Sequence, residues 1–162
     1  MSESQRPALI VDLSKYYGGA DVRVMTVAQA LHDIGYPYGV AILEGSPVHE
    51  KLVDTGLTTF PVPHSRSDPR MITFLRSLIT REGFRVVDGH NPQSQFWGHS
   101  ASGTLKGVHG VSTVNSSYGP EHDYSMKGRA YEQILEMNRL AGCHFIAITA
   151  AIESYLLDER KL

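Results

Sequence analysis

The chain has 162 residues, 41% of them hydrophobic and 20% charged, which is the size and make-up of one globular domain and excludes a disordered segment. A formal net charge of −2 gives no bulk attraction for nucleic acid or for an anionic membrane. The single cysteine, Cys143, excludes an intrachain disulfide, fits a reducing compartment and lies just before an apolar run, where an inert buried thiol is the ordinary reading.

The first apolar run, Ala8–Leu13, reads as a strand. It is too short for a signal-peptide core or a membrane span, so the cytoplasm is the expected location. A loop with Gly18 and Gly19 opens a helix over Ala20–Ile34, which carries Val24, Ala28 and Leu31 on one stripe and ends at Gly35 and Pro37. A second strand covers Gly39–Leu43, followed by Glu44 and a short helix over Val48–Asp54. The third strand is Thr58–Val62. Ser67 or Asp68 then caps a helix with Pro69 in its first position, an apolar face of Ile72, Leu75, Leu78 and Ile79, and Gly83 as its stop. The fourth strand is Arg85–Asp88, and Asn91-Pro92 repeats the cap-then-proline signal before Phe96, Trp97 and Ala101. A fifth strand, Val108–Val114, leads into the polar loop Asn115–Pro120. A longer helix spans Lys127–Ala141, the sixth strand is Phe145–Thr149, and a last helix begins near Ala150. No internal repeat or low-complexity stretch interrupts this order.

Strand–helix alternation through the whole length, with strands nearly continuous in apolar character, implies a three-layer Rossmann-like doubly wound parallel sheet, one α/β domain over residues 1–162. Such sheets bind ligands beyond the carboxyl ends of their strands, where strand order reverses. The residues that follow each strand are therefore the candidates.

Gly18 and Gly19 lie before a helix N-terminus, where bare backbone and unpaired N–H groups suit a phosphate; a plain tight turn is the alternative. No GxGxxG or GxxxxGK[ST] is present, which disfavours a nicotinamide oxidoreductase and leaves Glu44 as a solvated loop acid. His90 follows the fourth strand at the expected mouth of the cleft. Asn115 heads a donor-rich loop after the fifth strand, and Thr149 either caps the last helix or lines the cleft. The eight histidines show no HExxH or other tight ligand spacing, so no metal is expected. No GxSxG nucleophile elbow occurs. The basic stretch Arg66–Arg81 has two readings: weak contact with anionic lipid, or, ordinarily, a helix packed on the sheet with a solvated charged face.

These pieces, in this order, resemble the N-terminal domain of glycosyltransferase family 4. The resemblance runs from about Ala8 to Leu157. It is carried by Gly18-Gly19-Ala20, by Leu78–His90, by Gly110–Asn115, and most strongly by Ile134-Leu135-Glu136 through Phe145–Thr149 to Tyr155-Leu156-Leu157. The resemblance implies the N-terminal half of a GT-B architecture and a retaining transfer of sugar from a nucleotide-sugar co-substrate to an acceptor, without a resident cofactor or metal. It also implies Gly18 and Gly19 against the donor diphosphate, with His90, Asn115 and Thr149 lining the cleft. Asn115 stands where the family often has His, and Asn cannot carry a proton at neutral pH. Thr149 replaces a Ser, and Cys143 stands where the family has Asp. The implied donor-binding domain would follow the sixth strand, in cis or in trans. The 162-residue chain alone is therefore expected to show no transfer, and a surface left without that partner is a route to self-association. The alternative is a non-catalytic or in-trans subunit that binds an acceptor or a partner through the same cleft.

Overall fold

The computed structural model describes residues 5–162; residues 1–4 of the expected domain lie outside the described residues. Six strands form one parallel sheet in the order β3-β2-β1-β4-β5-β6. They are β1 (Ala8–Asp12), β2 (Tyr38–Leu43), β3 (Thr59–Val62), β4 (Val86–Gly89), β5 (His109–Val114) and β6 (His144–Ala147). Order reverses between β1 and β4, whose register pairs Ala8 with Val86 and Val11 with Gly89. This is the doubly wound Rossmann-like arrangement that the alternation predicts.

Side chains alternate along each strand, so β1 feeds two cores. Leu9 and Val11 join Ala41, Val87, Met71, Leu75 and Leu78 on one face, beneath α3 (Arg70–Glu82) and α4 (Pro92–Ser102). Ile10 joins Val40, Ile42, Val24, Ala28 and Leu52 on the other, beneath α1 (Gly19–Asp33) and α2 (Pro47–Asp54). β3 is an edge strand and tolerates Pro61, which has no N–H to donate. The apolar stripe of α3 is buried in the core. Its arginines bond on the protein's own surface, Arg70 to Asp68 at 2.6 Å and Arg76 to Thr104 Oγ1 at 2.6 Å.

The second half has a smaller core of Val114, Tyr118, Leu135, Ile152, Tyr155 and Leu156. The sequence reads Asn115–Pro120 as an irregular loop, but Tyr118–Glu121 makes a helical turn, α5. Four residues containing Gly119 and Pro120 carry no periodicity that could announce it. α6 (Met126–Leu140) meets α4 through polar groups, Asn138 Nδ2 donating to Gln95 Oε1 at 3.5 Å, and both side chains also bond to β5: Asn138 Nδ2 donates to Ser112 Oγ at 3.1 Å and Gln95 Nε2 to the Thr113 carbonyl at 3.2 Å. The last helix, α7 (Ala150–Ser154), runs on into a π-helical turn, Tyr155–Glu159. Glu132 holds that turn, accepting from Tyr155 Oη at 3.0 Å and pairing with Arg160 at 3.4 Å.

Candidate functional site

The carboxyl ends of β1 and β4 meet at the point where strand order reverses. A polar network assembles there from residues far apart in sequence. Asp12, the last residue of β1, is completely buried. Its Oδ1 accepts from Ser14 N at 3.1 Å, from Ser14 Oγ at 2.7 Å and from Asn91 Nδ2 at 3.0 Å. Asn91 is the N-cap of α4, its Oδ1 accepting from Ser94 N at 2.9 Å. Ser94 Oγ in turn accepts from Leu13 N at 2.9 Å. One asparagine thus starts α4 and ties that start to the end of β1.

On the other side of Asp12 lies Asp21, in the first turn of α1 and 2% exposed. Its Oδ2 accepts from Gly18 N at 2.6 Å, which fixes the glycine loop onto the helix it precedes. Burial first, and the neighbouring Asp21 carboxyl second, push Asp12 up to about 7. Asp12 is therefore partly protonated near neutral pH, and its Oδ2, like Asp21 Oδ1, is buried without a hydrogen-bond partner among the described residues.

The glycines differ in what they do. Gly89 is required by packing: a Cβ there would lie 2.6 Å from the Gln95 Cα and 2.7 Å from its N. Gly18 has φ −153°, open to any residue. A Cβ on Gly19 would meet nothing within 4 Å. The chain's own packing therefore does not demand Gly19, and the N–H groups of the first turn of α1 that lack an intrahelical acceptor lie beside it.

His90 lies beneath the cleft wall rather than at its mouth, with only 1% of its surface exposed. Gly89 lets β4 press against α4, and the following residue is drawn in with it. His90 Nε2 pairs with Asp88 Oδ2 at 2.9 Å, and Asp88 also accepts from Thr113 Oγ1 at 2.8 Å. Asn115 donates its side-chain amide to the His90 carbonyl. Nδ1 of His90 and Oδ1 of Asn115 are buried without a hydrogen-bond partner among the described residues. Thr149 is elsewhere: it is exposed, caps α7 by accepting from Ile152 N at 3.2 Å, and lies two strands beyond β4 at the outer edge of the sheet. The structure thus joins Gly18, His90 and Asn115 through Asp21, Asp12 and Asn91, and leaves Thr149 apart.

Sequence reasoning missed Asp12 and Asp21. The available signal was a carboxylate closing the apolar run Ala8–Val11. Beside the switch point, the ends of β1, β2 and β3 enclose a cavity of about 530 Å³ lined by Lys15, Glu44, Ser46, His64, Ser65 and Arg66 among others. A second, of about 690 Å³, runs along β6 and α7 and includes Cys143, Ile148 and Leu157. Cys143 is half-buried, and burial pushes its thiol up to about 11. Among the described residues no cluster of three or more His, Cys, Asp or Glu could hold a metal ion, and no helix is long and apolar enough to cross a membrane.

Comparison with solved structures finds the same fold at low identity. A glycosyltransferase from Rickettsia africae aligns with TM-score 0.69 and 13% identity, over 98% of this chain and 41% of that one. The sucrose-phosphate synthase of Thermosynechococcus elongatus aligns with TM-score 0.68 and 14% identity, over 93% and 44%. Anabaena HepE, solved in complex with UDP-glucose, aligns with TM-score 0.62 and 13% identity, over 96% and 50%. The chain spans between two fifths and half the length of these proteins. A search of curated protein sequences finds no match. The family model described as Glycosyltransferase Family 4 matches residues 17–162, nearly the whole sequence, and the chain therefore belongs to glycosyltransferase family 4.

Proposed function

We propose that this chain is the acceptor-side domain of a retaining glycosyltransferase that moves a sugar from a nucleotide-sugar donor to an acceptor hydroxyl. The observation that carries the reading is Gly19: open space in front of a helix N-terminus, at the switch point, where the chain itself has no need of glycine. HepE, a neighbour in fold, holds UDP-glucose, which supports a nucleotide diphosphate as the ligand.

In the transfer, the bond between the anomeric carbon and the diphosphate oxygen breaks and a bond to the acceptor oxygen replaces it. Negative charge grows on the leaving diphosphate, and the N–H groups of the first turn of α1 face that charge. Protonation of Asp12, held up to about 7 by its burial, lessens the negative charge beside it. Asn115 cannot take the acceptor's proton, whereas the released diphosphate can. Asn115 offers an amide to the transferred sugar. His90, held by Asp88, acts by positioning Asn115 through its carbonyl. Thr149 contributes as a helix cap. The nucleotide base and ribose fall to a donor-binding domain, in cis or in trans.

The test is a titration of the chain with UDP and with other nucleotide diphosphates, followed by amide NMR. Shifts centred on Gly18, Gly19 and Ala20 are expected, together with no sugar transfer by the chain alone. Turnover of a nucleotide sugar by the purified 162-residue chain, or shifts that avoid this loop, would overturn the reading. Asn115, which cannot carry a proton, favours a second reading as a binding subunit. Adding a separate donor-binding domain separates the two: transfer restored supports the enzyme, and complex formation without transfer supports the subunit.

A further inference from the structure

We infer that the cavity at the ends of β1, β2 and β3 is the acceptor pocket and that it takes an acceptor bearing a phosphomonoester. This rests on the transferase reading and names the class of its second substrate.

The cavity, about 530 Å³, has room for a phosphorylated monosaccharide. It opens next to the glycine loop, because Lys15 and Tyr16 belong to that loop and line the cavity as well. Two cations reach it from different strands, Lys15 after β1 and Arg66 after β3. Neither forms an ion pair with a carboxylate among the described residues, although Glu44 lines the same cavity. Arg70, Arg81, Arg139 and Arg160 pair with acids, and Arg76, Arg85 and Arg129 bond neutral oxygens.

Arg66 is also held in place. The Trp97 indole donates to its carbonyl at 2.8 Å, which pins the β3–α3 loop to α4. Its Nε is buried and has no hydrogen-bond partner among the described residues. A guanidinium whose N–H is shielded from water and unpaired is costly unless an anion completes it. Ser65 and His64 line the same cavity, so candidate donors come both from the loop after β1 and from the loop after β3. That arrangement suits a tetrahedral phosphate better than the flat fork of a carboxylate. Leu43 and Val62, the last residues of β2 and β3, and Pro63 beyond them give the sugar ring an apolar floor.

The experiment titrates the chain with a hexose monophosphate, the corresponding hexuronate, the neutral hexose and inorganic phosphate, with amide and arginine Nε–H shifts as the readout. The hexose monophosphate is expected to bind at least tenfold more tightly than the neutral hexose and to shift Arg66 Nε–H. Inorganic phosphate should shift the same signal. Arg66→Gln and Lys15→Gln should each remove most of that preference without moving the melting temperature by more than a degree or two. Equal binding of hexose and hexose monophosphate would overturn the proposal, as would a preference retained in both variants. Stronger binding of the hexuronate would overturn the phosphate in favour of a carboxylate. UDP added to the same samples reads the glycine loop independently. UDP shifts without hexose monophosphate shifts sink this inference alone. Hexose monophosphate shifts without UDP shifts leave the pocket and sink the transferase reading.

Discussion

Asn91 donates its side-chain amide to the buried Asp12 carboxylate across 3.0 Å and 79 positions of sequence, joining the two halves of the sheet at their switch point. The same side chain caps α4. Asn91→Ala removes both roles and is expected to cost about 1–3 kcal/mol. Asn91→Asp keeps the cap but sets a carboxylate against Asp12. It should therefore lose more stability at pH 8 than at pH 5. Thermal melts of both variants at the two pH values check this, and an Asn91→Asp loss independent of pH would contradict the pairing.

The Asp12–Asp21 pair gives the protein a pH dependence of definite sign. Asp12 sits at about 7 in the folded chain against an ordinary 3.8, so between these values the folded state holds a proton that the unfolded state has released. Stability from this group therefore falls as pH rises from about 4 to about 7, and is flat above. At about 1.4 kcal/mol per pKa unit, the full effect is on the order of a few kcal/mol. Asp12→Asn keeps an acceptor for Ser14 and Asn91 and puts a neutral amide where the carboxyl titrates. It should flatten this part of the profile and raise the melting temperature at pH 8. Parallel profiles for the two proteins would sink the idea.

Gly19 and Gly89 make a paired test of ligand against packing. Gly19→Ala meets open space and lies in a helical first turn, so its stability should be unchanged or higher by up to about 1 kcal/mol. Its affinity for UDP should nonetheless drop. Gly89→Ala drives a methyl into the Gln95 backbone and should destabilise by about 1–3 kcal/mol. Melting curves and a UDP titration of both variants decide it. Unimpaired UDP binding by Gly19→Ala would remove the glycine loop from the proposed donor site.

Cys143 is half-buried, and burial pushes its thiol up to about 11. At pH 8 alkylation by iodoacetamide is expected to be at least tenfold slower than that of a free thiol, and to accelerate on unfolding. Mass spectrometry of timed samples measures the rate. Fast labelling of the folded chain would show that this edge of the sheet opens readily.

The sequence by itself determined the features that depend on neighbours in the chain. The alternation of apolar runs and helical stripes determined the element order and the Rossmann-like class. The caps at Asn91 and Thr149 and the left-handed stop at Gly83 (φ 72°) follow from residue types a few positions apart. The tertiary structure decided what depends on strand order. Only the pairing of β1 with β4 brings Asn91 to Asp12, raises the pKa of that acid by burial beside Asp21, and buries His90 behind Gly89. Only the assembled strand ends reveal that Gly19 faces open space and that Arg66 Nε is buried without a hydrogen-bond partner among the described residues. The glycine pair was legible as a motif. Whether packing or a ligand requires it is a question about the space around it, and long-range contacts create that space.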